Sequence, residues 1–249
     1  MTTRKRMHSS PKNYYCDAHF HSSGSGSLEV PGILNGTSPR DWAEVLRLAG
    51  NRPGIRPAIG LHPWQLDDAP HDWQGQFQAA LTSGARAVGE IGLDKRFAKA
   101  PFDAQCEAFA WQLKQAAARN LPVSIHCFKA TDPLLRLLHQ NPIPTRGVHL
   151  HAYSGSAEEV AAFVELGAYF SFHAGQLSPP ARKAPAALRR IPPDRLLIES
   201  DAPDTLPESI NQREYLKLGY EQAADLCDIP LAQLIETVMT NYQRYFLND

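Results

Sequence analysis

The feature that most constrains the fold of this sequence is a regular alternation between short apolar runs and longer segments with helical periodicity. Runs of this length predict strands, and apolar residues at three- and four-residue intervals predict amphipathic helices. Eight strands that alternate with helices, without an interrupting linker, favour an α/β fold of the TIM-type (β/α)8 barrel class, regular or distorted, over an open doubly wound sheet. The predicted strands are 14–21, 32–37, 56–62, 85–93, 122–128, 147–152, 168–172 and 195–200.

The length of 249 residues suits one barrel of this kind. We therefore expect a single TIM-barrel domain over residues 14–249, preceded by a flexible tail over residues 1–13. The tail carries Arg4, Lys5 and Arg6 among serines and threonines, so it is interpreted as solvated, with a phosphate contact as the alternative.

Charge and hydropathy limit the classes of partner. The 25 basic and 26 acidic residues give a net charge of -1, so any binding of nucleic acid must be local. The chain has neither an apolar run of about 18 residues nor a signal-peptide core, and these absences predict a cytoplasmic protein without a membrane partner. No obligate protein partner is indicated. The four scattered cysteines favour reduced thiols, so a metal site among the ten histidines would use imidazole and carboxylate ligands.

Polar residues at strand ends predict where such a site lies. Side chains alternate along a strand, so Asp17, His19 and His21 point to the barrel interior, where the two histidines can share a metal ion. A pair of structural polar residues at a strand end is the alternative. Four further candidates lie at or near the C-terminal ends of other strands, at the rim where barrel enzymes place their sites: Glu90, His126, His151 and Asp201. Six candidates at matching depths favour metal binding over separate structural roles.

Six ligands exceed the number that one tetrahedral zinc ion takes, but they suit two divalent ions about 3.5 to 4 Å apart. The predicted metals are Zn, Mg or Mn. We assign His19, His21 and Asp201 to one ion and His126 and His151 to the other. Glu90 is the predicted bridge, and Glu90 and Asp201 are the predicted catalytic carboxylates. Such a pair of ions would hold a hydroxide at neutral pH.

Seven stretches of the sequence resemble the TatD family of metal-dependent hydrolases, within the amidohydrolase superfamily. They are Asp-Ala-His-Phe-His (17–21), Ile-Leu-Asn-Gly-Thr (33–37), Ile-Gly-Leu-His-Pro (59–63), Val-Gly-Glu-Ile-Gly-Leu-Asp (88–94), Pro-Val-Ser-Ile-His (122–126), His-Ala-Tyr-Ser-Gly-Ser (151–156) and Ile-Glu-Ser-Asp-Ala-Pro (198–203). The resemblance implies a TIM-type barrel, a site for two divalent cations and hydrolysis of phosphodiester bonds, typically as a deoxyribonuclease. It implies the same six ligands.

The sequence departs from the family pattern around the substrate. Ser22 and Ser23 follow His21 where the family has a hydrophobic residue and aspartate. His126 is followed by Cys-Phe-Lys (127–129) in place of a small residue, arginine and an acidic residue. Segment 204–213 replaces an expected basic segment after the last strand. We therefore expect an intact metal centre beside an altered substrate wall.

Four further residues are predicted substrate contacts: His62, Trp64, Asp94 and Lys129. Each has a structural alternative. His62 can pack, Trp64 can cover the barrel rim rather than stack on a base, Asp94 can cap a helix, and Lys129 can be solvated.

Some residues that share strand parity with the ligands predict supporting roles. His149 and Glu199 lie two residues before His151 and Asp201, so they would point inward one layer deeper. Both, together with Asp17, are interpreted as residues that orient the ligands.

Three functions are compatible with this sequence. The first is a metal-dependent nuclease, in which a metal-bridging hydroxide attacks the phosphodiester of DNA or RNA. The second is a metal-dependent amide or ester hydrolase acting on a small molecule or an aminoacyl-tRNA. The third, a catalytically silent binding subunit, would have no need of all six ligands.

Overall fold

The structure is a computed structural model that describes residues 15–22 and 30–248. The predicted tail over residues 1–13 lies outside these residues. So does the start of the first predicted strand at residue 14.

Eight parallel strands follow one another around a single sheet in chain order, which confirms the predicted (β/α)8 barrel. They are β1 (Asp17–Phe20), β2 (Gly32–Asn35), β3 (Ile55–Ile59), β4 (Ala87–Asp94), β5 (Val123–Phe128), β6 (His149–Leu150), β7 (Tyr169–Phe172) and β8 (Leu196–Ile198). The register shifts between β1 and β2 and again between β4 and β5. These two irregularities involve β1 and β4, strands that carry predicted ligands.

The seam between β8 and β1 is closed by hydrogen bonds just beyond the C-terminal end of β8. The amide of Asp201 donates to the carbonyl of His19 at 3.0 Å, and the amide of His21 donates to the carbonyl of Ala202 at 2.6 Å. The closure therefore places Asp201 beside the two histidines of β1.

Nine helices surround the barrel in the described ranges. They are α1 (Trp42–Gly50), α2 (Trp73–Thr82), α3 (Phe102–Arg119), α4 (Thr131–Gln140), α5 (Val160–Glu165), α6 (Ala174–Leu177), α7 (Lys183–Leu188), α8 (Gln212–Cys227) and α9 (Leu231–Tyr242). Short 3-10 turns cover Pro63–Gln65 and Pro193–Arg195, and a π-helical turn, Gln243–Leu247, follows α9. No helix among the described residues is long and apolar enough to cross a membrane.

The strands separate an apolar layer from a polar interior. Residues such as Ile33, Val123 and Phe170 are fully buried in the hydrophobic core, which also includes apolar side chains of the helices. Polar and fully buried residues alternate with them on the strands: Asp17, His19, Ser124, His149 and Ser171. Glu199, directly after β8, is buried in the same way. Polar groups buried this deeply must find hydrogen-bond partners. The interior of the barrel is therefore organised by hydrogen bonds.

Candidate metal centre

Glu90 on β4 lies at the centre of the predicted ligands, and its two carboxylate oxygens face different groups. Oε2 lies 3.3 Å from Nε2 of His21 and 3.5 Å from Nε2 of His19. Oε1 lies 2.7 Å from Nε2 of His151 and 3.1 Å from Nδ1 of His126. Each oxygen therefore faces a different pair of the predicted ligands, and Oε1 also lies near His62.

Asp201 completes the group around β1. Its Oδ1 lies 3.7 Å from Nε2 of His21 and 4.0 Å from Nε2 of His19. The backbone of Asp201 has a φ of 51°, in the left-handed region that non-glycine residues rarely adopt. Strain of this kind is typical of functional sites. The structure thus brings all six predicted ligands together, and ligand atoms of His19, His21 and Asp201 form one of its candidate metal clusters.

The second ring nitrogen of a histidine shows which nitrogen can bind a metal. Nδ1 of His21 lies 3.0 Å from the carbonyl oxygen of Asn35, and Nε2 of His126 lies 3.1 Å from Oδ2 of Asp94. Carbonyl and carboxylate oxygens only accept hydrogen bonds, so these nitrogens carry the proton. In the neutral rings the nitrogen that faces Glu90 then has a free lone pair, as metal binding requires.

Glu199 faces Nδ1 of His151 as a charged neighbour, without a hydrogen bond to it. Its Oε1 lies 3.5 Å from Nδ1 of His151 and accepts a 2.7 Å hydrogen bond from the amide of Ala152. The carboxylate therefore favours a proton on Nδ1 of His151. Nε2 of the same ring faces Glu90.

A chain of buried hydrogen bonds connects the other oxygen of Glu199 to His19. The hydroxyl of Ser171 donates to Oε2 of Glu199, and Nε2 of His149 lies 2.6 Å from that hydroxyl oxygen. Nδ1 of His149 lies 3.3 Å from the hydroxyl of Ser124, which lies 2.7 Å from Nδ1 of His19. We call these five residues the Glu199 relay.

The charge of Glu199 sets the direction of the relay. Because the hydroxyl of Ser171 donates to the carboxylate, its oxygen accepts from Nε2–H of His149. Burial lowers the pKa of His149 to about 3, so the ring is neutral and its Nδ1 accepts from Ser124. Ser124 in turn accepts from Nδ1–H of His19. This direction leaves a lone pair on Nε2 of His19, the nitrogen that faces Glu90.

In His62, unlike the four ligand histidines, the ring nitrogen that faces Glu90 is the one that carries the proton. Its Nδ1 accepts a hydrogen bond from the amide of Trp64 at 3.2 Å, so in the neutral ring the proton is on Nε2. Nε2 lies 3.3 Å from Oε1 of Glu90. His62 therefore presents a donor to the site, although its position also places it in a candidate metal cluster with Glu90 and His126.

The donor set fits divalent cations. Four imidazole nitrogens that offer lone pairs when the rings are neutral converge with two carboxylates, and imidazole ligands favour zinc over magnesium. In the metal-free protein, burial opposes the charge of His21, but Glu90 and Asp201 raise its pKa to about 9. Burial also opposes ionisation of Glu90, yet the surrounding histidines hold its pKa well below the usual range. Protons on the histidines must leave when a cation binds.

Asp94 is a predicted substrate contact, but both of its carboxylate oxygens are hydrogen-bonded to other residues of the protein. Oδ1 accepts hydrogen bonds from the amides of Arg96 at 2.7 Å and Phe97 at 2.8 Å. Oδ2 lies 2.7 Å from Nε1 of Trp64 and 3.1 Å from His126. These contacts lower the pKa of Asp94 although burial opposes this, so the carboxylate stays charged. Asp94 thus orients His126 and Trp64 and is absent from the cavity wall.

A cavity of about 450 Å³ opens above the metal-ligand cluster. His62 and Trp64 line it, as predicted for substrate contacts, whereas Lys129 is exposed outside its wall, with Nζ 6.0 Å from the ring centroid of Phe128. Among the described residues that form the wall there is no lysine or arginine, but Asp204 is one of them.

Sequence reasoning missed Ser124 as a partner of His19 and gave no role to Phe97. For Ser124 a signal was present, because it lies two residues before His126 on β5 and therefore points inward. Phe97 lies in the segment between β4 and α3, where no periodicity marks it.

Comparisons with known proteins agree with this geometry. Residues 7–247 match the family described as TatD related DNase. The chain is 32% identical over 197 residues to the uncharacterized metal-dependent hydrolase YabD of Bacillus subtilis, covering 77% of each chain. It is 30% identical over 229 residues to the 3'-5' ssDNA/RNA exonuclease TatD of Escherichia fergusonii, covering 86% of each.

A solved structure shows the same architecture. The crystal structure of YjjV, a TatD homologue from Escherichia coli K12, superposes with a TM-score of 0.86 at 29% identity. The match covers 95% of this chain and 99% of that one. With a family match over almost its whole length, the chain belongs to the TatD-related DNase family of metal-dependent hydrolases.

Proposed function

We propose that this protein hydrolyses phosphodiester bonds of DNA or RNA with two divalent cations. The observation that carries the proposal is the division of the Glu90 carboxylate between two groups of ligands. One ion would be held by His19, His21 and Asp201, and the other by His126 and His151. The name of the exonuclease TatD of Escherichia fergusonii supports nucleic acid as the substrate.

The electrostatics of the cavity support a role for cations in substrate binding. Three carboxylates, those of Glu90, Asp201 and Asp204, line the cavity, and its described wall contributes no lysine or arginine. Once the lining histidines have lost their protons to bind cations, these carboxylates by themselves would repel a phosphodiester. Bound divalent cations would reverse the local field, polarise the phosphoryl oxygens and make an attacking water more acidic.

Two residues would handle protons and charge beside the ligands. Asp201 is the proposed acceptor of a proton from the attacking water at its carboxylate. In the metal-free protein burial raises the pKa of Asp201 to about 7, although the charge of His151 opposes this. His62 donates from Nε2 to an oxygen of the reacting phosphate and stabilises the charge that develops there.

The function is tested by cleavage of end-labelled single-stranded DNA and RNA. We expect the protein stripped with a chelator to be inactive, and activity to return with Zn²⁺ or Mn²⁺. The matched measurement is metal content by elemental analysis. A fully metal-loaded protein that cleaves neither nucleic acid would refute the proposal.

Substitution of His62 separates a hydrogen-bond donor from a metal ligand. His62→Gln is expected to lower kcat about 100-fold, the usual effect of losing one such donor, while metal content stays unchanged. His126→Ala is expected to lower metal content as well. His139→Gln, at an exposed position of α4, is the control. Loss of metal in His62→Gln would instead make His62 a ligand.

The acidic wall also favours a second candidate, hydrolysis of an amide or ester in a small molecule or an aminoacyl-tRNA. Asp204 lies in the cavity wall, where it can pair with an ammonium group such as that of an aminoacyl ester. Hydrolysis of such substrates by a metal-loaded protein that leaves DNA and RNA intact would select this candidate.

The cytoplasm is the proposed compartment. All four cysteines, Cys16, Cys106, Cys127 and Cys227, are free thiols in the structure. Free thiols are typical of proteins in a reducing compartment.

A further inference from the structure

Three aromatic side chains form a ridge at the mouth of the cavity. The ring centroids of Trp64 and Phe97 are 6.0 Å apart, and those of Phe97 and Phe128 are 5.3 Å apart. Trp64 and Phe128 line the cavity, and Phe97 extends the row away from it. Within residues 15–22 and 30–248, Trp64 and Phe97 are the exposed large hydrophobic side chains, at 45% and 54%. We call Trp64, Phe97 and Phe128 the aromatic ridge.

The ridge is connected to the predicted ligand His126 through Asp94. Asp94 accepts hydrogen bonds from Nε1 of Trp64 and from the amide of Phe97, and it also contacts His126. The bond to Nε1 fixes the ring of Trp64 and the bond to the amide fixes the backbone of Phe97, and a group fixed before a ligand arrives loses little conformational entropy on binding. Exposed aromatic surface that is already ordered is expected to mark a binding site.

Two cations lie against rings of the ridge, and the backbone of a third, Lys95, is hydrogen-bonded to Phe128. The guanidinium carbon of Arg96 lies 5.1 Å from the ring centroid of Phe97, and Nζ of Lys129 lies 6.0 Å from that of Phe128. Lys95 precedes Arg96 and lies over the ring of Phe102. All three side chains are exposed, and none forms an ion pair with another described residue. Lysine and arginine, which the described cavity wall lacks, are therefore present outside its mouth.

We propose that the aromatic ridge, with Lys95, Arg96 and Lys129, is a binding track for single-stranded nucleic acid that leads to Glu90. Bases stack on exposed aromatic faces in a sequence-tolerant manner, while the cations neutralise phosphates. Bases of a duplex are paired and stacked on one another, so they cannot use the ridge. This inference rests on the proposed function, since it supplies the path by which a nucleic acid enters the site.

Binding is measured by fluorescence anisotropy of labelled oligo(dT) and oligo(U), each of ten nucleotides. A chelator is present so that no cleavage occurs. We expect Phe97→Ala to weaken binding about tenfold, the loss of one stacked base. For the wild type we expect log K to fall with log[salt] with a slope of about -2, because single strands give about -0.7 per neutralised phosphate. Arg96→Ala is expected to reduce the slope by about 0.7. Oligo(dT) and oligo(U) together separate DNA from RNA preference.

The control is Arg190→Ala, an exposed arginine just beyond α7, before β8 begins and therefore at the opposite end of the barrel. It is expected to bind like the wild type. Equal binding by Phe97→Ala, Arg96→Ala and the wild type would overturn the proposal, as would equal affinity for a duplex. Binding without cleavage in Mn²⁺ would keep the track and reject the nuclease. Cleavage in Mn²⁺ with wild-type binding by Phe97→Ala and Arg96→Ala would keep the nuclease and reject the track.

Discussion

Glu90→Ala is expected to abolish hydrolysis and to lower metal content below that of the wild type. Both oxygens of Glu90 face histidine nitrogens, at distances from 2.7 to 3.5 Å, so the substitution removes a ligand from each proposed ion. Metal ions contribute several kcal/mol to such reactions, and each 1.36 kcal/mol is a factor of ten in rate. We expect kcat to fall by about 10³-fold or more. The measurements are elemental analysis and the rate of oligonucleotide cleavage at saturating Mn²⁺.

A milder substitution at the same position separates charge from shape. Glu90→Gln keeps the volume of the side chain but offers one oxygen and one NH₂ group, so it can serve only one of the two histidine groups. We expect it to retain more metal than Glu90→Ala and to remain inactive. Glu165→Gln, at an exposed position of α5, is the matched control. Circular dichroism checks that each variant folds. Wild-type activity in Glu90→Ala would exclude the bridging role.

The ligand cluster could be predicted because it depends on two features that are readable in the sequence. Side chains repeat every two residues along a strand, and parallel strands of a barrel end at a common rim. His19, His21 and Glu90 follow from these rules alone, and so does the convergence of His126 with His151. The structure adds that one oxygen of Glu90 faces His19 and His21 while the other faces His126 and His151.

The Glu199 relay could be predicted only in part. Strand parity places His149 and Ser171 inside the barrel, but it does not show which of them touch. Contact depends on the lateral register, in which Ser124 pairs with His149 across β5 and β6. Register between neighbouring strands is set by packing of the whole barrel, so a single sequence does not display it.

Short or irregular segments escaped prediction for a different reason. Helices α6 (Ala174–Leu177) and α7 (Lys183–Leu188) have four and six residues, too few to show a helical period. Phe97 is positioned by the carboxylate of Asp94, which accepts a hydrogen bond from its amide. A tertiary contact of this kind leaves no pattern in the local sequence.

Glu199→Gln is expected to weaken metal binding about 10- to 100-fold, the usual effect of losing the partner of a ligand histidine. The carboxylate of Glu199 accepts hydrogen bonds at both oxygens, from Ala152 and from Ser171. An amide accepts at one side only. The amide of Ala152 can only donate, so the glutamine oxygen faces Ala152, its NH₂ group faces Ser171, and the hydroxyl of Ser171 must turn toward His149. The reversal then continues to His19, whose proton moves to Nε2 and blocks the nitrogen that faces Glu90.

Tautomers of the histidine rings in the metal-free protein test this reasoning independently of catalysis. In the wild type, ¹⁵N NMR is expected to show His149 protonated on Nε2 and His19 on Nδ1, and Glu199→Gln is expected to reverse both. Ser171→Ala removes the link between Glu199 and His149 but leaves Glu199 beside His151. We therefore expect this variant to free the tautomer of His19 while the orientation of His151 is kept. If His19 keeps its Nδ1 proton in both variants, the charge of Glu199 does not set its tautomer. The ligand geometry of the barrel rim would then depend on packing alone.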